Sequence, residues 1–194
     1  MILETTMSEK EELFEKQLSS QEVFSGRLLH VFKDDIELPD GHTSTREYVK
    51  HLGAVCMVAI TDEGNVIMER QFRYPVGRVI TEIPAGKLDS PDEDRLEAAK
   101  RELREETGIT GDNWVDMGHF ISTPAFTEED ISMYLVTGLH KGERHLDDEE
   151  FINVFEAPLE SLIDDVMSGK IADGKTQAAL LKAYRILNSS QAGH

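Results

Sequence analysis

A single cysteine, Cys56, stands in 194 residues, so no intrachain disulfide can form and the fold must rest on its apolar core. Cys56 lies inside the strand-like run Gly53-Ala54-Val55-Cys56-Met57-Val58-Ala59-Ile60 and is expected to be a buried, inert thiol. Apolar runs of this length fall far short of the roughly 20 residues that a membrane-spanning helix needs. No charged-then-apolar leader opens the chain, because Met1-Ile2-Leu3 is followed by Glu4, Glu11 and Glu12. Basic residues are scarce: 20 Lys and Arg face 38 Asp and Glu, a formal net charge of −18, and no basic run occurs. Nucleic acid and the anionic membrane surface are recognised by clustered Lys and Arg, so neither is expected as a partner. These absences together predict a cytoplasmic protein. An acidic chain can still bind an anionic molecule when divalent cations sit between the two.

What is present suffices for a core. Hydrophobic residues make up 39% of a length that fits one domain with a small appendage. Residues 5–15, with Met7, Leu13 and Phe14 among charges, predict a short, poorly ordered helix. The pattern from about 16 to 52 is strand-like, with Leu28, Val31, Ile36 and Leu38 leading into the turn signal Pro39-Asp40-Gly41. Arg46 to Ile60 reads as a strand entering the core. Thr61-Asp62-Glu63-Gly64-Asn65 is a hairpin loop with Val66 to Arg73 as its return strand, and Val79 to Pro84 is another short strand. The strongest helix pattern begins at Ser90 or Asp94, both capping-box starts, and runs to Thr107 with Gly108 as its stop. Strands follow at about 114–122, 131–138 and 150–156. Helices at Leu159 to Met167 and Thr176 to Leu187 close the chain, the latter with Ala178, Leu181, Ala183 and Ile186 on its apolar side. A mixed sheet between helices is the natural packing, so the fold class is α/β or α+β.

The helix ends in Arg101-Glu102-Leu103-Arg104-Glu105-Glu106-Thr107-Gly108. Helical spacing sets Glu102, Glu105 and Glu106 on one side, with Leu96, Ala99 and Leu103 facing the core. Like charges at such spacings cost about 0.2–0.5 kcal/mol per pair, so something must offset them. A cluster of hard oxygen donors suits Mg²⁺ or Mn²⁺, which keep sites open for water and phosphate oxygens. Taken alone, the octet reads better as a solvated acidic face paired with Arg101 and Arg104. Its surroundings decide otherwise.

Upstream lie Glu82-Ile83-Pro84-Ala85-Gly86-Lys87-Leu88, a loop and Glu93. With the octet and Ile109, this stretch closely resembles the box of the Nudix hydrolase superfamily: a glycine, a spaced glutamate, Arg-Glu, an aliphatic residue, Glu-Glu, a spacer, glycine and an aliphatic residue. Glu93 falls on its expected position, and Gly86 lies one residue early, which reads as a one-residue insertion between Leu88 and Glu93. The resemblance implies an α/β/α sandwich around a mixed sheet, with Glu102, Glu105, Glu106 and the Ala85 carbonyl holding Mg²⁺, or alternatively Mn²⁺. It implies that Arg101 orients these glutamates and that Gly86 lets the backbone approach the metals. Bridging cations would neutralise a diphosphate, and a general base would take the proton of the attacking water. The stretch Leu146-Asp147-Asp148-Glu149-Glu150-Phe151 matches the loop that carries this base, with Glu150 as first choice and Glu149 as a base or metal contact.

Thr123-Pro124-Ala125-Phe126-Thr127-Glu128-Glu129 is similar to the motif of the ADP-ribose pyrophosphatase subfamily, with Ala125 in place of its usual glycine. Thr45-Arg46-Glu47, Gly53-Ala54-Val55 and Gln71-Phe72-Arg73-Tyr74 also resemble that subfamily. The likeness implies a nucleoside diphosphate sugar as substrate, ADP-ribose foremost, with Arg46 and Arg73 on the diphosphate or terminal ribose and Glu129 on the ribose hydroxyls. It implies a small N-terminal β subdomain over residues 1–50, exchanged across a homodimer, before a hydrolase domain over 51–194, with Phe24 stacking on adenine. GDP-mannose or NADH hydrolysis is the alternative activity. A silent ADP-ribose sensor is another, disfavoured because such regulators carry a basic helix-turn-helix pattern and this chain has none.

Overall fold

The structure is a computed structural model that describes residues 12–145 and 151–191. They divide into two compact units: residues up to His51 with Thr123–Glu129, and Leu52–Ser122 with the residues from Asp130 onward.

The first unit is an antiparallel meander of β1 (Lys16–Ser25), β2 (His30–Glu37) and β3 (Thr43–Lys50). Leu38 and Gly41 close the β2–β3 turn, where the Pro39-Asp40-Gly41 signal places it. Phe32 stacks on Tyr48 with ring centroids 5.9 Å apart, and the Lys50 ammonium lies 4.1 Å from the Phe32 centroid. Residues Thr123–Glu129 join this unit through backbone bonds: the Val49 N–H donates to Phe126 O at 2.9 Å, and the Glu128 N–H to Val49 O at 3.1 Å. Every residue of β1 is exposed, so the sheet has little core of its own.

The second unit is built on two sheets. One has the order β7 (Ala85–Lys87), β4 (Ala54–Ala59), β9 (Asp130–Lys141), β8 (Ile109–Ile121); the other has the order β10 (Ile152–Pro158), β5 (Asn65–Arg73), β6 (Arg78–Glu82). Strands β4 and β9 pair in parallel while β4–β7 and β8–β9 pair antiparallel, which makes the first sheet mixed. Strand β4 is apolar throughout because both of its faces are covered. Ala54, Cys56 and Val58 pack toward α2 (Leu159–Met167) and α3 (Gly174–Gln191), meeting Leu162, Val166, Leu180 and Ala183. Val55, Met57 and Ala59 face the other way, toward Ala98, Ala99 and Leu103 of α1 (Arg95–Thr107). This alternation of period two makes the α/β/α sandwich.

Helix α1 starts at the second of its two candidate caps: the Asp94 carboxylate accepts from the Leu96 and Glu97 N–H groups at 3.0 Å each. It stops at Gly108, whose φ of +73° no β-carbon-bearing residue adopts cheaply. Two expectations are corrected: Leu181, expected on the apolar side of the last helix, is exposed while Leu180 is buried, and the run from Arg46 is divided. Arg46 to Ile60 is not one strand but the end of β3 and the whole of β4, in different sheets, with Gly53 at φ +102° between them. The three-residue β7 is too short to show a period, and α3 begins two residues before its apolar periodicity, at Gly174 and Lys175.

Cys56 is fully buried, and burial pushes its thiol up to about 12. A chromogenic disulfide reagent is therefore expected to modify it only at the rate of global unfolding. Rapid labelling of the native protein would contradict this packing.

Candidate active site

Helix α1 carries the acidic cluster, and its two faces are treated differently. The expectation that all three glutamates lie away from the core is corrected at Glu106, which is buried with Ala98, Ala99 and Leu103 and is 4% exposed. Its Oε2 accepts the Ala85 N–H at 3.0 Å, which ties the last turn of the helix to the start of β7. Next along β7, Gly86 leaves room for a carboxylate: a β-carbon built there would overlap the Glu102 side chain. Ala85 and Gly86 thus meet two of the three glutamates, and the glycine is required by close approach rather than by a positive φ.

Arg101 gathers the remaining charges. Its Nη1 donates to Glu102 at 2.8 Å and Glu105 at 3.1 Å, its Nε to Glu93 at 3.1 Å, and its Nη2 to the Lys87 carbonyl at 3.2 Å. Burial opposes its charge, but Glu93, Glu102 and Glu105 outweigh burial and push its pKa up. The Arg101 hydrogen bond, with the Asp89 N–H, holds the Glu93 carboxyl below the usual range. The repulsion expected between Glu102 and Glu105 is thus relieved by an arginine. Among the described residues, no three Asp, Glu, His or Cys side chains converge on one point as a metal cage. The donor chemistry still fits a hard divalent cation: a deeply buried carboxylate, a second one in the space a side chain would fill, and a third one helical turn away.

Arg73 ends β5 and donates from Nε and Nη2 to the two oxygens of Glu82 at 2.8 and 2.9 Å. Burial opposes the Arg73 charge too, yet Glu82, Glu106 and Asp173 push its pKa up. In the first unit, Arg46 is gripped by Glu15 and also donates to the Thr45 carbonyl at 2.9 Å, while Glu129 lies 3.8 Å from the His51 ring. Phe24 is 55% exposed on β1. Glu149 and Glu150 lie outside the described residues.

Sequence reasoning missed a buried ionic cluster beside these residues. Glu82, 2% exposed, also accepts from the Lys175 ammonium at 2.5 Å, and Lys175 reaches Asp173 at 3.0 Å. Thr176 hydrogen-bonds to Asp173 and accepts the Ile83 N–H at 3.0 Å. The one signal available was Asp173-Gly174-Lys175-Thr176 at a helix start, where an aspartate caps the first turn.

Comparison with known proteins accords with this geometry. A NUDIX domain model matches residues 50–178, and a nucleoside diphosphate sugar hydrolase N-terminal domain model matches residues 15–49. The chain is 42% identical over 170 residues to an ADP-ribose pyrophosphatase of Bacillus subtilis, covering 87% of this chain and 91% of the relative. It is 40% identical to a methanol dehydrogenase activator of Bacillus methanolicus, over 86% of this chain and 90% of that one. A crystal structure of an ADP compounds hydrolase superposes with a TM-score of 0.80 at 22% identity, over 91% of this chain and 95% of the other, which supports the fold. With its domain model matched over 129 residues (50–178) and its box helix built as described, the chain belongs to the Nudix hydrolase family.

Proposed function

We propose that the protein hydrolyses the pyrophosphate bond of ADP-ribose, giving AMP and ribose 5-phosphate. The observation that carries the chemistry is Glu106, a buried carboxylate fixed on the Ala85 N–H beside the Glu102 carboxylate that fills the space over Gly86. Glu102, Glu105, Glu106 and the Ala85 carbonyl would hold Mg²⁺, or alternatively Mn²⁺. When bound, such a cation neutralises the diphosphate and lowers the pKa of the attacking water. Arg101 orients Glu102 and Glu105 through its Nη1. Arg73 meets the diphosphate: Glu82 takes its Nε–H and one Nη2–H, so the two Nη1 donors and the second Nη2–H are the ones offered to phosphate oxygens. Arg46 serves the diphosphate or terminal ribose, Glu129 the ribose hydroxyls, and Glu150 takes the proton of the attacking water, with Glu149 as the alternative.

The choice of ADP-ribose rests on the Bacillus subtilis relative and on the Thr123–Glu129 segment. It is tested by a substrate panel with product identification. We expect kcat/KM for ADP-ribose at least about tenfold above that for GDP-mannose or NADH, a gap of about 1.4 kcal/mol. A preference for GDP-mannose would overturn the substrate and leave the family standing.

The reading includes a cytoplasmic homodimer. Support comes from the lone buried thiol and from the N-terminal sheet, where Leu18, Val23, Phe24, Leu28 and Leu29 are all exposed. The described helices include none long and apolar enough to cross a membrane. Sedimentation is expected to give a dimer at micromolar concentration, and a compact active monomer would rule the assembly out.

A further inference from the structure

The first turn of α3 is charged in a way that its fold alone does not require. A helix N-terminus disfavours a cation, and burying a lysine costs more unless partners offset it. Lys175 is nonetheless largely buried, with its side chain 13% exposed. Burial alone would lower its pKa, but Asp173 and Glu82 outweigh burial and raise it, so the ammonium keeps its charge. Its shorter contact is with Glu82, which lies 93 residues earlier in the chain.

Glu82 faces both ways. One oxygen accepts from Arg73 Nε, and the other accepts from both Arg73 Nη2 and Lys175 Nζ. A bidentate arginine–carboxylate pair fixes the plane of the guanidinium, provided the carboxylate itself is fixed. Lys175 and the backbone supply that fixing. Glu82 ends β6, the following Ile83 N–H donates to Thr176 of the same helical turn, Pro84 O accepts from Met57, and the Ala85 N–H donates to Glu106. The first turn of α3 therefore holds the segment 82–85 at two points, through Lys175 on the side chain of Glu82 and Thr176 on the backbone of Ile83.

We infer that Lys175 is a positioning residue for the diphosphate: it holds the Glu82 carboxylate, which in turn aims Arg73. Lys175 does not touch substrate. Removing its ammonium leaves Glu82 short of one cation and free to turn, and the Arg73 plane turns with it. The inference rests on the assignment of Arg73 to the diphosphate made above.

A mutant cycle separates the two. Lys175→Met is expected to raise KM for ADP-ribose by about tenfold, more than it lowers kcat, because an aimed binding group is lost. A merely structural role would reduce the folded fraction, lowering apparent kcat while leaving KM in place. Arg73→Gln should raise KM at least as far, and Lys175→Met in the Arg73→Gln background should add less than about twofold. If Lys175→Met does not fold, the charge-balanced Glu82→Gln/Lys175→Met pair replaces it with the same expectation. Losses that multiply in the double background, or an unchanged KM in Lys175→Met beside a raised KM in Arg73→Gln, overturn the inference alone. An unchanged KM in Arg73→Gln overturns the Arg73 assignment and the inference with it.

Discussion

Glu106→Gln is expected to lower kcat for ADP-ribose by about a thousandfold or more, roughly 4 kcal/mol of barrier, while the protein keeps its fold. The fold survives because glutamine has nearly the shape of glutamate, and its amide oxygen can still accept the Ala85 N–H that Oε2 accepts now at 3.0 Å. A neutral amide at a 4%-exposed position is no harder to bury than a carboxylate. What disappears is an anionic oxygen from a donor set suited to a hard divalent cation. Steady-state kinetics at saturating Mg²⁺, with circular dichroism as control, checks both halves. A variant with near-normal kcat would show that the buried face of α1 has no part in the chemistry.

The second large effect is expected at Gly86, where a single methyl group should cost about a hundredfold in kcat/KM with little change in thermal stability. A β-carbon at this position would occupy the space of the Glu102 carboxylate. The obstructed group is the end of a flexible side chain rather than backbone, so Gly86→Ala is accommodated by moving Glu102. That movement breaks its 2.8 Å bond with Arg101 Nη1, which also serves Glu105. Glu102 is thus displaced, and the arginine that also holds Glu105 loses a partner, by a change that leaves the core clusters around β4 untouched. Differential scanning calorimetry beside kinetics distinguishes the outcomes. Loss of activity together with a collapse of the melting temperature would mean that Gly86 serves folding rather than the site.

The parts of this structure that were legible in the sequence are those whose partners lie close by along the chain. Helix α1 announces itself because its cap, Asp94, and its stop, Gly108, bond to groups two to four residues away, and because its apolar positions Ala99 and Leu103 recur at helical spacing. The same locality made the Arg101–Glu105 pair readable, one helical turn apart. Strand β4 was readable as core but not in extent, because a β pattern does not reveal that Gly53 turns the chain from one sheet to another. The burial of Glu106 runs against the sequence pattern: its spacing sets it with Glu102 on the side away from Ala99 and Leu103, and the Ala85 N–H that donates to it comes from a strand too short to show a period. The Lys175–Glu82 contact was invisible, since nothing in a single sequence links two charged residues 93 positions apart. Arg46 and Arg73 were found as charges, but their carboxylate partners Glu15 and Glu82 were not.

On the proposed function, this acidic helix face serves cleavage between the two phosphates of ADP-ribose. The most direct measurement incubates the enzyme with ADP-ribose and Mg²⁺ in ¹⁸O-water and identifies the products by mass spectrometry. The predicted result is AMP and ribose 5-phosphate in equal amounts, with a single ¹⁸O in a phosphate group of one of them, and no reaction when Mg²⁺ is chelated. Release of ADP and free ribose, or turnover that persists under chelation, would contradict it.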